Sequence, residues 1–211
     1  MADDAAWRPI TGIILAGGAS RRFGSDKASA MLLGEPLLQH VWRAVSGECN
    51  AVIVAASALQ VLPHFAAGAQ VTICRDDVDQ EGPLRALATA LTASETEWNF
   101  VVSCDAPLIR PELIRYLCSV AAAQTSVVVP RVGGRLQPLV AVYSKRSLPG
   151  LRARLDAGER SLTAAVVSLE PQVVEEAAVL AFDPDLRSFH NINTVADLKV
   201  AETLLTASRE T

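Results

Sequence analysis

The chain has 211 residues, a length that suits one α/β domain and is short for two independent cores. Hydrophobic residues make up 50% of it and charged residues 20%, so a sizeable core is available and the composition does not indicate disorder. The formal net charge is −4 and there is no basic stripe. This charge balance argues against a nucleic-acid partner.

The sequence also argues against a membrane or a secretory context. No apolar stretch is long enough to cross a bilayer, and the acidic residues 1–4 are not the basic start of a secretory signal. We therefore expect a cytoplasmic protein with no membrane partner. The four cysteines are widely spaced and form no C-x-x-C pair, which predicts reduced residues in or near the core rather than a zinc site.

The first informative element is an apolar run over residues 10–14, which predicts a buried strand. The glycine pair at 17–18 follows and lets the backbone turn tightly against a ligand. Three cations come next, Arg21, Arg22 and Lys27. Backbone N–H groups and fixed positive charge are what a polyphosphate needs, so we interpret this segment as a phosphate loop rather than a solvated surface loop.

The phosphate loop matches neither common glycine motif. Lys27 lies between Asp26 and Ala28, whereas a Walker A motif has Gly before the lysine and Ser or Thr after it. The next glycine after the pair is Gly24, which is too distant for a dinucleotide fingerprint. The glycine pattern alone therefore does not identify the ligand of this loop, and the other segments of the chain have to be considered with it.

Short apolar strands alternate with helical segments through the first two thirds of the chain. This alternation predicts an α/β fold of three Rossmann-like layers, with a mainly parallel sheet and helices on both faces. The predicted strands cover residues 51–55, 71–74, 98–103 and 126–130, and the predicted helices cover 36–45, 83–93 and 111–123.

The pattern changes after residue 130. Residues 131–138 read as a turn between two strands, the second of them over 139–143, and residues 145–155 and 161–169 read as helical. Thr194 is a good N-cap for a final helix through about residue 207. No repeat or linker interrupts the chain, which predicts a single domain over residues 1–211.

Two acidic positions follow predicted strands. Asp105 comes directly after an uncharged strand, and a single carboxylate at such an end suits Mg²⁺ that also binds substrate phosphates. A capping role is the alternative, although Asp105 is rather far ahead of Pro111 for that. Asp76 also ends a strand, but it begins an acidic run that is typical of a solvated loop.

Asn191 and Asn193 flank Ile192, so in extended chain their side chains face the same way. Paired amides can read a heterocycle or organise a loop. A turn or cap role fits equally well, and the residues alone leave both open.

Together these segments resemble the molybdenum cofactor guanylyltransferases, which belong to the wider nucleotidyltransferases. The likeness covers nearly the whole chain. The glycine signature alone would also fit sugar-phosphate or cytidylyl enzymes, and the C-terminal segment indicates the molybdopterin branch. The matching residues are Leu15, Ala16, Gly17, Gly18, Arg22, Gly24, Asp26 and Lys27, then Asp76, residues 82–84, 104–107 and 137–139, and finally Phe189, Asn191, Ile192, Asn193, Thr194, Asp197 and Leu198.

The resemblance implies a fold like that of the nucleotide-diphospho-sugar transferases and transfer of GMP from GTP to the phosphate of Mo-molybdopterin. It implies a nucleotide-binding half over about residues 8–110 and an acceptor-binding half over about 111–211. GTP and Mo-molybdopterin are then the substrates, Mg²⁺ is the cofactor, and proteins that supply molybdopterin or receive the product are candidate partners.

The resemblance also implies roles for individual residues. Lys27 neutralises charge at the transferring phosphate, Arg22 holds the triphosphate tail, and Asp105 binds Mg²⁺. The nucleotide lies against Leu15, Ala16, Gly17, Gly18 and Asp76, and the pterin side carries Asn191 and Asn193.

Two departures from the family pattern keep alternatives open. Arg85 stands where relatives often have Ala, and it either contacts phosphate or points to solvent. Ala55 stands where some relatives have a polar amide, which leaves both GTP and CTP as candidate substrates. A CTP-dependent cytidylyltransferase and a non-catalytic nucleotide-binding delivery protein are the alternative functions.

Overall fold

A computed structural model describes residues 8–17, 27–65, 69–76 and 82–207 of the chain. Within these ranges the strands are β1 (Ile10–Leu15), β2 (Met31–Leu32), β3 (Glu35–Pro36), β4 (Ala51–Ser57), β5 (Val71–Asp76), β6 (Trp98–Ser103), β7 (Val127–Val132), β8 (Arg135–Leu136), β9 (Val140–Ser144) and β10 (Gln172–Glu175).

The helices are α1 (Leu37–Ser46), α2 (Pro83–Ala93), α3 (Pro111–Ser119), α4 (Leu148–Asp156), α5 (Leu162–Val167), α6 (Glu176–Val179) and α7 (Val195–Ala207). Short 3-10 turns occupy Lys27–Ser29, Lys145–Ser147 and Arg187–Phe189. No helix in the described ranges is both long and apolar enough to span a bilayer.

The central sheet has the strand order β10-β7-β9-β6-β1-β4-β5, with β8 paired to β7, and β2 and β3 form a separate hairpin. Strands β6, β1, β4 and β5 are parallel to one another. Strand β9 is antiparallel to both β6 and β7, so β7 and its parallel neighbour β10 run in the same direction as β6. The carboxyl ends of all six of these parallel-running strands therefore lie at one edge of the sheet.

Helices cover both faces of the sheet, as the three-layer prediction requires. On one face α1, α3 and α6 bury Leu38, Leu113 and Val179 against the strands. On the other face α2, α4 and α5 bury side chains such as Leu87 and Leu151. The predicted fold class is thus confirmed.

A third apolar cluster joins the C-terminal part of the chain to the hairpin. Ile192 and Ala201 are buried together with Leu32, Leu37 and Leu108. This packing holds α7 and the segment before it beside the start of α1, close to the carboxyl edge of the sheet.

Several predicted boundaries are wrong. The helix predicted over 111–123 ends at Ser119, and Pro36 lies before α1 as its N-cap residue rather than inside it. The segment 145–155 begins with a 3-10 turn before α4. Strand β10 was not expected, because Val174 is its only buried residue and four residues are too few to show a period.

The cysteines lie in or near the core, as predicted: Cys104 is buried, and Cys49, Cys74 and Cys118 are half-buried. Burial raises the pKa of the Cys118 thiol to about 12, and the Glu48 carboxylate adds to this shift. Burial likewise raises the pKa of Cys49, with smaller effects from Cys118 and Glu48. These two thiols stay protonated at neutral pH and are poor nucleophiles.

Gly12 of β1 allows α1 to pack closely on the sheet. A Cβ at this position would lie 2.1 Å from Cγ1 of Val45, which is fully buried in α1. We expect Gly12→Ala to lower the free energy of unfolding by about 1–3 kcal/mol, because a well-packed core resists an added methyl group. Chemical denaturation measures the change.

Gly47→Ala is the matched control, since the nearest atom to a Cβ there is the Arg43 carbonyl oxygen at an ordinary 3.6 Å. Gly47 has φ −73°, which alanine adopts freely, so stability should stay unchanged or rise slightly. Equal stability of the two variants would contradict the close-packing argument.

Candidate active site

The glycine turn (Ala16 and Gly17 among the described residues) begins where β1 and β6 end together, beside β4. Leu15 pairs with Ala55 of β4 on one side and with Ser103 of β6 on the other. The N–H groups of Ala16 and Gly17 both donate to the Ala55 carbonyl, at 2.8 and 3.2 Å. The turn is therefore anchored to the sheet before the chain enters the predicted phosphate loop.

Gly17 lies against the end of β4. A Cβ there would be 3.2 Å from the Ser57 Oγ, closer than most side-chain contacts. The absence of a side chain thus permits the close approach of Gly17 to the end of β4. The approach to a ligand that the sequence predicts for the glycine pair stays a prediction. Gly18 and Arg22, the other predicted ligands of the loop, lie outside the described residues.

Lys27 lies at the centre of the candidate site, at the start of a 3-10 turn. Its Nζ donates to Oδ2 of Asp105 at 2.9 Å and to Oδ1 of Asn193 at 2.7 Å. The Lys27 and Asp105 side chains are only 18% and 15% exposed. Three residues chosen from distant parts of the sequence thus meet at the carboxyl edge of the sheet.

Asp105 uses only one of its two carboxylate oxygens in this cluster. Within the described part of the chain, Oδ1 is buried and has no hydrogen-bond partner. A buried carboxylate oxygen without a donor is costly unless a ligand or a cation meets it. The Asp105 side chain therefore fits one ligand position of a hard cation.

The C-terminal segment reaches this edge through its backbone. The N–H of Ile192 donates to the Asp105 carbonyl at 2.8 Å, and the Ile192 side chain is fully buried. Asn191 and Asn193 on either side of it are exposed, which is the alternation expected of extended chain. Asn193 thereby reaches Lys27, and its Nδ2 donates to the Asn191 carbonyl at 3.4 Å.

The start of α7 fixes the backbone after Asn193. Asp197 accepts hydrogen bonds from the N–H groups of Asn193 and Thr194, both at 2.8 Å, and its own N–H donates to the Thr194 hydroxyl. This is a reciprocal capping arrangement. The hydrogen bond from Asn193, with smaller effects from Thr194, lowers the pKa of the Asp197 carboxyl, so the cap is ionised at neutral pH. Thr194 caps the final helix, as predicted.

The other sequence-predicted position lies further along the same edge. Asp76 ends β5, and its backbone is in register with Ser57 of β4. Its side chain is outside the described residues. Two strands separate it from β6 and Asp105.

Sequence reasoning gave no role to Gln60, which lies at this edge. Gln60 Nε2 donates to the Ala16 carbonyl at 2.9 Å, so a loop after β4 contacts the glycine turn directly. Gln60 lies in no motif and at no strand end, and no signal in the sequence marked it.

Solved structures share this fold. The fold is similar to that of molybdopterin-guanine dinucleotide biosynthesis protein A from Archaeoglobus fulgidus, with a TM-score of 0.78, 23% identity, and coverage of 93% of this chain and 99% of that one. It is also similar to 2-C-methyl-D-erythritol 4-phosphate cytidylyltransferase from Thermus thermophilus, with a TM-score of 0.70, 18% identity, and coverage of 94% and 99%. These two likenesses establish the α/β fold of the chain.

Sequence comparison gives both the class, the nucleotidyltransferases, and the family of the chain. The sequence model of the MobA-like NTP transferase domain matches residues 12–198, and the chain belongs to this family. It is 34% identical over 201 residues to a molybdenum cofactor guanylyltransferase from Desulfosudis oleivorans, which covers 95% of this chain and 98% of that protein. A probable molybdenum cofactor guanylyltransferase from Chloroflexus aggregans is 34% identical over 202 residues, covering 93% of this chain and 95% of that protein.

Proposed function

We propose that this protein transfers GMP from GTP to the phosphate of Mo-molybdopterin, forming molybdopterin guanine dinucleotide and pyrophosphate. One observation carries the assignment of the site: Lys27 Nζ lies within 3 Å of both Asp105 and Asn193. A single ammonium group thus joins the predicted nucleotide side to the predicted acceptor side. The names of the relatives supply the substrates.

The reaction needs positioning and charge neutralisation more than a dedicated nucleophile. An oxygen of the acceptor phosphate attacks the α-phosphorus of GTP, a new phosphoanhydride bond forms, and the bond to the β-phosphate breaks as pyrophosphate leaves. The acceptor oxygen is already anionic, so no proton has to be removed from it. The protein's task is to bring the two anions together and to stabilise the charge that builds up on the reacting phosphate.

Lys27 is suited to that task. An ammonium group has three N–H donors, and the described contacts with Asp105 and Asn193 use two of them. The third can meet an oxygen of the reacting phosphate without dismantling the cluster. Held by two partners, the charge needs little reorganisation when the transition state forms.

We assign Mg²⁺ to Asp105. Its Oδ1, which has no hydrogen-bond partner among the described residues, offers a ligand position while Oδ2 stays paired with Lys27. Mg²⁺ prefers one or two carboxylates together with substrate phosphates and water, and it would neutralise and orient the triphosphate there.

The remaining roles follow the family pattern. We assign the backbone of Leu15, Ala16, Gly17 and Gly18 and the Asp76 position to the guanine nucleotide, and Arg22 to the triphosphate tail. We assign Asn191 and Asn193 to the acceptor, because both are exposed and Asn193 is hydrogen-bonded to Lys27. We also propose that the enzyme acts in the cytoplasm, where GTP is held.

A panel of nucleoside triphosphates with molybdopterin and Mg²⁺ tests the proposal, with pyrophosphate release as the measurement. We expect the highest kcat/KM with GTP. Ala55 leaves the base choice to this experiment: its side chain is buried in the core, and its carbonyl holds the glycine turn.

Each other outcome of the panel has a distinct meaning. Faster pyrophosphate release from CTP than from GTP would make the protein a cytidylyltransferase with the same acceptor. Tight nucleotide binding with no pyrophosphate release would favour a non-catalytic delivery protein.

A further inference from the structure

The loop that follows β4 is tied to the glycine turn by one side chain. Gln60 Nε2 donates to the Ala16 carbonyl at 2.9 Å, and Gln60 Oε1 accepts from the Ser57 N–H at 3.2 Å. The Gln60 N–H in turn donates to the Ser57 carbonyl at 3.2 Å. The side-chain amide of Gln60 therefore stabilises the turn between residues 57 and 60 and also holds Ala16, the first residue after β1, in place.

A cation on the neighbouring strand holds the same turn from the other side. Nη1 of Arg75, in the edge strand β5, lies 2.9, 3.2 and 3.0 Å from the carbonyl oxygens of Ser57, Ala58 and Gln60. Hydrogen bonds from a charged donor are stronger than neutral ones, and convergence of three carbonyls on one nitrogen orients the turn as a unit. We call Arg75, Gln60 and the turn between residues 57 and 60 the β4 brace.

We propose that Gln60 and Arg75 are positioning residues that hold the Ala16–Gly17 turn in the shape that receives the nucleotide. The proposal rests on the proposed function. The predicted phosphate loop leaves the sheet at Gly17, so the brace fixes the point from which that loop begins. The hydrogen bonds of the brace join Gln60 to the Ala16 carbonyl and Arg75 to carbonyls at and after the end of β4, so both residues act on the turn through its backbone.

This placement predicts a particular kinetic signature. On this assignment the glycine turn contacts the nucleotide equally in the ground state and in the transition state. Loosening the turn therefore removes binding energy that both states share. KM for the nucleotide should rise while kcat changes little. A residue at the reacting phosphate would show the opposite split.

The test compares Gln60→Leu and Arg75→Met with wild type in steady-state kinetics and in direct binding of the preferred triphosphate. We expect KM and Kd to rise by about tenfold in each variant, the size of one or two lost hydrogen bonds, with kcat within about twofold of wild type. Arg75→Lys should recover part of the affinity, because an ammonium group can still donate to the carbonyls. The double variant should be little worse than either single one, since both act on one turn.

Matched controls separate this role from general effects on the fold. Gln172→Leu removes a hydrogen bond with Thr125 at β10, the last strand of the sheet on the side away from β5. Arg146→Met removes a contact with the Ala123 carbonyl. Both should keep wild-type KM and Kd, and thermal unfolding should find all variants folded.

Three results would overturn the inference. If wild type is active and the Gln60 and Arg75 variants keep its KM and Kd, the brace does not position the nucleotide turn. A fall in kcat at unchanged KM would place these residues in the chemical step instead. If wild-type protein neither binds a nucleoside triphosphate nor releases pyrophosphate, the proposed function fails and this inference fails with it.

Discussion

Replacing Lys27 by alanine is expected to lower kcat by about 10²–10³-fold, the usual loss when one preorganised charge at a transition state is removed. Lys27 lies between Asp105 and Asn193, the residues that we assign to the nucleotide and to the acceptor. KM for the nucleotide should change less, because the charge acts mainly when the phosphate is being transferred. Steady-state pyrophosphate release at saturating substrates measures the effect.

Lys145→Ala is the control for that experiment. Lys145 follows β9, whose last residue Ser144 pairs with Trp98 at the amino end of β6, so it lies at the opposite edge of the sheet. Its loss should leave kcat unchanged. Lys27→Arg keeps the charge and should retain more activity than Lys27→Ala. Wild-type turnover in Lys27→Ala would show that the assignment of Lys27 to the reacting phosphate is wrong.

The parts of the site that could be predicted from the sequence are the residues that follow buried strands. Asp105 follows an uncharged strand, and parallel strands bring their carboxyl ends to one edge, so its place beside the glycine turn followed from local pattern. Lys27 entered the prediction as one of three cations that follow β1 and the glycine pair.

Contacts over long sequence distances could not be derived in this way. Asn193 is 166 residues from Lys27, and it reaches Lys27 because Ile192 is buried under α7 and bonded to the Asp105 backbone. No periodic pattern in the sequence predicts the contact between Asn193 and Lys27, and only the family resemblance indicated that the two residues belong to one site. The roles of Gln60 and Arg75 could not be predicted for a related reason. Both side chains donate to backbone carbonyls, which every residue carries.

Errors in the fold occurred where the local signal was short or continuous. Alanines over residues 121–123 extend the helical pattern of α3, yet the helix ends at Ser119. The four residues of β10 belong to the sheet because they pair with β7. This is a tertiary contact that so short a segment cannot predict from its own sequence. Neither error involves Lys27, Asp105 or Asn193.

Asp105→Asn is expected to raise the Mg²⁺ concentration needed for half-maximal activity by at least about tenfold, because a neutral amide is a much weaker ligand for a hard cation than a carboxylate. The substitution keeps the shape of the side chain and removes its charge. It also takes the ionic partner from Lys27, so kcat should fall as well. Activity measured across a Mg²⁺ titration at fixed GTP gives both quantities.

The Lys27 and Asp105 variants together separate metal binding from ion pairing. If Asp105 serves only to hold Lys27, then Asp105→Asn and Lys27→Ala should lower kcat alike and leave the Mg²⁺ requirement at its wild-type value. If Asp105 binds the metal, only Asp105→Asn shifts the requirement, and excess Mg²⁺ restores part of its activity. Asp156→Asn, at the exposed end of α4, should match wild type throughout the titration. A wild-type Mg²⁺ requirement in Asp105→Asn would exclude the metal assignment while leaving the Lys27 ion pair intact as the function of this carboxylate.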